Sequence, residues 1–129
     1  MSPRDVVLAW VAAFNRADLD ALAALYAPDA VNHQMAYGPL QGRAAIRAMF
    51  DMEFGRAKMV CQVVQVLEDG DWAVLEWTDP TGLRGCGFFR VAAGQIVHQR
   101  GYFDRLQFYE AQGIDLAQAA AAEAAMKKQ

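Results

Sequence analysis

A chain of 129 residues with 55% apolar and 11% aromatic content has the material for one domain with a real core, which excludes disordered and fibrous classes. Its net charge is −3 and its longest cationic run is the Lys127-Lys128 pair, so nucleic acid and anionic membrane surfaces are excluded as partners. A neutral or weakly polar small molecule is the favoured ligand class.

The opening stretch MSPRDVVLAWVAAF has no cationic lead and no cleavage site, and Arg4, Asp5, Asn15 and Arg16 interrupt the apolar residues around it. It reads as neither signal peptide nor membrane span, and a cytoplasmic location is expected. Ser2 before Pro3 supplies an N-cap followed by proline at the first helical position. Val6, Val7, Trp10, Val11 and Phe14 then recur at helical spacing, which predicts a first helix over about residues 3 to 16. Asp18 can cap a second helix carrying Leu19, Leu22, Leu25 and Tyr26, stopped by Pro28. A brief extended piece, Ala30 to Gln34, leads through the loop MAYGPLQG to a third helix, Arg43 to Phe54, with Ile46, Met49, Phe50 and Phe54 on its inner face.

Beyond Ala57 the pattern changes to β-branched and aromatic runs, VCQVVQVL, WAVLEWT, LRGCGFFRV and QIVHQRGYF, separated by the turn signals EDGD, DPTG and AAGQ. Four such strands make an antiparallel meander. The Ala-rich tail from Leu116 to Gln129 ends in a lysine pair, which suits a helix C-terminus. Residues 1–129 thus read as one α+β domain, a curved antiparallel sheet covered by three N-terminal helices, closing into a cone with a hollow interior. Cys61 and Cys86 lack CxxC spacing and read as buried thiols. Neither a metal-ligand cluster nor a glycine-rich strand-to-helix loop is visible, so no metal and no cofactor are expected.

The segments FNRADLDALAALYAPDAV, GPLQGRAAIRAMF and GQIVHQRGYFD resemble the SnoaL-like polyketide cyclases and limonene epoxide hydrolases of the nuclear transport factor 2-like superfamily, which also holds the ketosteroid isomerases. The resemblance covers about residues 5 to 110. It implies an NTF2-like, cystatin-like α+β cone, a deep apolar pocket and a homodimer through the outer sheet face; it implies little about chemistry, because one such cone hosts many activities. The catalytic Asp-Arg-Asp set of the epoxide hydrolases does not carry over. Its last-strand Asp falls on Gly101, and its Arg-x-Asp falls on Glu76 and Thr78 without a gap, or on Trp77 and Asp79 with one. The isomerase tyrosine falls on Trp10, the general base on Gln34 and the oxyanion-hole acid on Gly87, none of which can do the original work.

Glu76 is the one acid left as a catalytic candidate. In the ungapped register it points inward beside Val74, where desolvation would raise its pKa into the useful range; the bland alternatives are an ion pair with Arg84 or Arg100, or exposure at a dimer face. Asn32 and Gln34, sharing one side of a strand, match the Tyr and Asn that orient water in the epoxide hydrolases, or else satisfy local backbone. Trp10, Phe14, Phe50, Phe54, Phe89 and Phe103 are candidates for the pocket wall or the core, and Gly85, Gly87 and Gly101 for positions cleared to give it volume. His33 reads as structural or at the rim, His98 and Arg100 as facing away from the pocket, and Asp104 as a cap at the chain end. Leu75, Trp77 and Phe88 are expected on the outer face, as the apolar seam of a homodimer. Two readings stand: a pocket protein for an apolar polyketide, terpenoid or steroid-like molecule, acting if catalytic as a cofactor-free isomerase, cyclase or hydrolase, and a non-catalytic ligand-binding or dimerisation module.

Overall fold

The structure, a computed structural model, describes residues 1–127. Helix α1, Pro3–Asn15, starts from the expected cap: Ser2 Oγ accepts from the Asp5 amide at 3.1 Å and the Asp5 carboxylate accepts from the Ser2 amide at 3.2 Å, a reciprocal pair that satisfies two orphan donors. Ala17 at φ 52° ends the turn, and Asp18 caps the short α2, Leu19–Ala24. The second helix stops earlier than expected. Tyr26 and Ala27 are already in strand β1, Tyr26–Gln34, because Pro28 pushes the residue before it into extended backbone and Tyr26 is then fully buried.

The stretch expected as a loop holds a second strand, β2, Gly38–Gln41, paired antiparallel with β1 and carrying Pro39 on an edge, where a missing N–H is tolerated. Helix α3, Arg43–Arg56, follows Gly42 and buries Ile46 and Phe50. The meander is β3 Gln62–Asp69, β4 Trp72–Thr78, β5 Arg84–Ala92 and β6 Gln95–Phe103. The sheet order is β2-β1-β6-β5-β4-β3, and β1 runs parallel to β6, so the sheet is mixed rather than purely antiparallel. That parallel pair sets the first and last strands side by side, so that α1 to α3 pack against one continuous sheet. After β6, Asp104 caps a further helix, α4, Arg105–Ala111, by accepting from the Gln107 amide at 3.2 Å, and α5 spans Leu116–Lys127. Lys128 and Gln129 of the expected helical tail lie outside the described residues.

Candidate functional site

Cross-strand partners share a face of the sheet, so the β4–β5 register decides what faces the hollow. Leu75 pairs with Gly87 and Trp77 with Gly85, while Glu76 pairs with Cys86. Leu75, Trp77, Gly87 and Phe89 face the α-helices, and Glu76 faces the other way. The expected inward placement of Glu76 beside Val74 is therefore corrected: the carboxylate is exposed on the outer sheet face and accepts from Gln65 Nε2 at 2.8 Å. Leu75 and Trp77 are corrected with it, leaving the outer face for the interior. The register is set by the β4–β5 hairpin, not by the offset to related catalytic strands.

Between the helices and the inner sheet face lies a cavity of about 240 Å³. Trp10, Phe14, Phe50 and Phe89 form its aromatic wall, with Trp10 stacked on Phe14 at 5.0 Å and edge-on to Phe89 at 5.5 Å. Gln34, Gly87, Gly101 and Phe103 also line it. Phe54 does not: it packs behind the wall, 5.6 Å from Phe14 and 6.0 Å from Phe50. Asn32 is fully buried beneath Gln34, accepting from Gln34 Nε2 at 2.8 Å, and its own Nδ2 has no hydrogen-bond partner among the described residues.

The glycines have a simple account. None of Gly85, Gly87 and Gly101 has positive φ, and no bulge falls at them, so the backbone does not require them. A Cβ at Gly85 would lie 2.7 Å from the Tyr102 carbonyl oxygen and inside the Trp77 indole; one at Gly101 would run into the Gln34 amide. Two of the three positions are thus occupied by a neighbour's side chain, and Gly87, with the Phe89 ring 3.0 Å from where its Cβ would sit, opens on the cavity.

The polar groups of the cavity come mostly from residues that sequence reasoning missed. Trp10 Nε1 donates to Tyr26 Oη at 2.9 Å, and the Tyr26 hydroxyl donates to Gln99 Oε1. Burial raises the Tyr26 pKa well above the ordinary tyrosine value, so it remains a donor. Tyr26 is hidden in the sequence because it also fits the apolar stripe of the preceding helix; Gln99, two residues before the inward Gly101, is legible from strand alternation. Glu53 lines the cavity from α3, one turn beyond Met49 and Phe50, and that i+3, i+4 spacing was the available signal. Burial pushes its carboxyl up to about 6, against the opposing pull of Arg56. Such a group exchanges its proton near neutral pH, as an acid or base must. Among the described residues no cluster of three or more His, Cys, Asp or Glu side chains could hold a metal ion.

Residues 7–99 match the SnoaL-like domain family. Among solved structures, a putative polyketide cyclase from Xanthomonas campestris pv. campestris superposes with a TM-score of 0.75 at 23% identity, covering 82% of this chain and 93% of that one. An LEH-like epoxide hydrolase of M. tuberculosis gives 0.73 at 22% identity over 83% and 86%. A protein of ketosteroid isomerase-like fold from Catenulispora acidiphila DSM 44928, in complex with trimethylamine, gives 0.77 at 18% identity over 89% and 96%. At these identities the likeness is one of fold. Among curated proteins none matches the chain.

Proposed function

The chain belongs to the SnoaL-like domain family, and from that premise we propose that its cone binds a small, largely apolar ring compound of the polyketide or terpenoid kind. The observation that carries this is the cavity itself: an aromatic wall facing the apolar side of a sheet, with a minority of polar side chains that include the amides of Gln34, Gln99 and Gln112. Its volume of about 240 Å³ falls below the roughly 300–1,000 Å³ of drug-sized sites, which favours one to three rings over a four-ring steroid skeleton. The reading needs no metal or cofactor.

If the bound molecule reacts, Glu53 is the group inside the cavity equipped to move a proton in an isomerase, cyclase or hydrolase step. A non-catalytic module is favoured by a separate observation: the positions that match catalytic residues of related enzymes hold Trp10, Gln34, Gly87 and Gly101. Thermal-shift screening against aromatic polyketides, monoterpenoids, epoxides and steroids tests the binding reading. A ligand at ~100 times its dissociation constant should stabilise by about 2.7 kcal/mol, and a screen with no shift in the one-to-three-ring compounds would refute it.

We also propose a homodimer through the outer face, where Leu67 is 57% and Tyr102 41% exposed beside the half-buried Phe88. Sedimentation at micromolar concentration should show two chains; a monomer would rule this out. Among the described residues no helix is long and apolar enough to cross a membrane, and two free thiols suit a reducing cytoplasm.

A further inference from the structure

We infer that the cavity selects ring compounds bearing a carbonyl oxygen, which it anchors through the side-chain NH2 of Gln99, an amide held in one orientation by Trp10 and Tyr26. This deepens the binding reading above and rests on it. The argument is a proton count along three buried groups. An indole N–H can only donate, so at 2.9 Å the Tyr26 oxygen must be the acceptor. Tyr26 then has one hydrogen to place, and Gln99 Oε1 receives it. Were the Gln99 amide turned over, its NH2 would face Tyr26 and the hydroxyl hydrogen would lose its acceptor at a residue with no solvent exposure. The orientation is therefore determined.

That leaves the Gln99 NH2 as a surplus donor. Gln99 is 4% exposed and lines the cavity, and its nitrogen has no acceptor among the described residues. The structural duty of the side chain, receiving the Tyr26 hydroxyl, is discharged by the oxygen alone. That donor opens on the cavity, so an acceptor entering the cavity can reach it directly. The chain of donors also polarises the amide, since a carbonyl that accepts a strong hydrogen bond makes its N–H groups better donors. Gln34 gives one of its two amide hydrogens to Asn32, so it offers the cavity a single N–H where Gln99 offers both. Trp10 and Tyr26 act through Gln99 and are positioning residues.

The probes are 1-tetralone and tetralin, the same bicyclic skeleton with and without a carbonyl, titrated by the fluorescence of the cavity's tryptophans. The parent should bind the ketone at least ten-fold more tightly, and Gln99→Met, which keeps length and loses the donor, should reduce the ratio to within two-fold. Since that variant strands the Tyr26 hydroxyl and could fail to fold, a second measurement uses the parent. The infrared carbonyl stretch of bound 1-tetralone should lie below its frequency in hydrocarbon solvent. It should move back toward that frequency in Tyr26→Phe, which releases the amide to rotate. Equal binding of both probes, or a carbonyl at its hydrocarbon frequency, overturns the anchor and leaves the binding reading standing. Binding of neither probe overturns both.

Discussion

The two faces of strands β4 and β5 are built from nearly the same kinds of residue and do different work. Inward, Leu75 is 1% exposed and Phe89 1%, and Trp77 lies over Gly85; outward, Val74, Glu76, Cys86 and Phe88 are exposed or half-buried. Both faces are largely apolar, so hydrophobic alternation does not tell them apart. Glycine does. A large side chain can lie across a strand only where its neighbour has no Cβ, so Trp77 over Gly85 and Gln34 over Gly101 mark the face that looks into the cone.

The largest expected effect tests the inner face directly. Leu75→Ala should cost about 2–5 kcal/mol in urea unfolding, the range for emptying a buried leucine site, whereas Val74→Ala on the outer face should cost under about 1 kcal/mol. Equal losses would mean that the faces have been assigned wrongly. Gly85→Ala comes next, at about 1–3 kcal/mol, because the new methyl meets a backbone carbonyl that cannot swing aside. Gly87→Ala should cost less, since only the edge of the Phe89 ring must yield. A parent-like melting temperature for Gly85→Ala would remove the argument that Trp77 fixes the inner face.

How much of this was legible follows from where the information sits along the chain. The start of α1 was readable because Ser2, Pro3 and Asp5 act within one turn, and the meander because each hairpin turn is written locally as EDGD, DPTG or AAGQ. The parallel pairing of β1 with β6 was not, since it joins residues some seventy positions apart and leaves no local mark. The early end of α2 was masked because Leu25 and Tyr26 fit a helical stripe as well as they fit a strand start. Trp10, Phe14 and Phe89 were identifiable as candidates for the wall, and the structure brings them together. Glu76 resists placement from sequence because matching related catalytic strands and the hairpin register point it to opposite faces, and Glu53 because a carboxylate one turn beyond Met49 and Phe50 carries no mark of burial in the sequence.

Glu53 sharpens the contrast through pH. Its carboxyl stands at about 6 in the folded protein against an ordinary 4.5, so the folded state holds its proton more firmly than the unfolded chain. The sign follows: the group imposes no penalty below about pH 4.5, and stability is lost as pH rises from there through 6. Glu53→Gln should therefore raise stability by about 1–2 kcal/mol at pH 7.5 and leave it unchanged at pH 4. A neutral ligand that fills the cavity desolvates the carboxyl further, so binding near pH 6.5 should take up protons, visible as a calorimetric heat that varies with the buffer's ionisation enthalpy. A destabilised Glu53→Gln at pH 7.5 would show that the carboxylate has a partner that favours its charge.

The smallest effect is expected at Glu76, and its smallness is the point. The carboxylate is exposed and accepts a single bond from Gln65, itself exposed, so solvent screens whatever that contact contributes. Glu76→Gln should shift stability by no more than about 0.5 kcal/mol and leave the affinity for 1-tetralone within two-fold of the parent. The proposed dimer gives the variant one place to register, because Glu76 shares the outer face with Leu67 and Phe88. A change there would appear as a shift in the monomer–dimer equilibrium and would depend on protein concentration, while ligand affinity per chain would not move. Loss of ligand binding at a concentration where the dimer is intact would return Glu76 to the cavity and undo the assignment of faces on which the site rests.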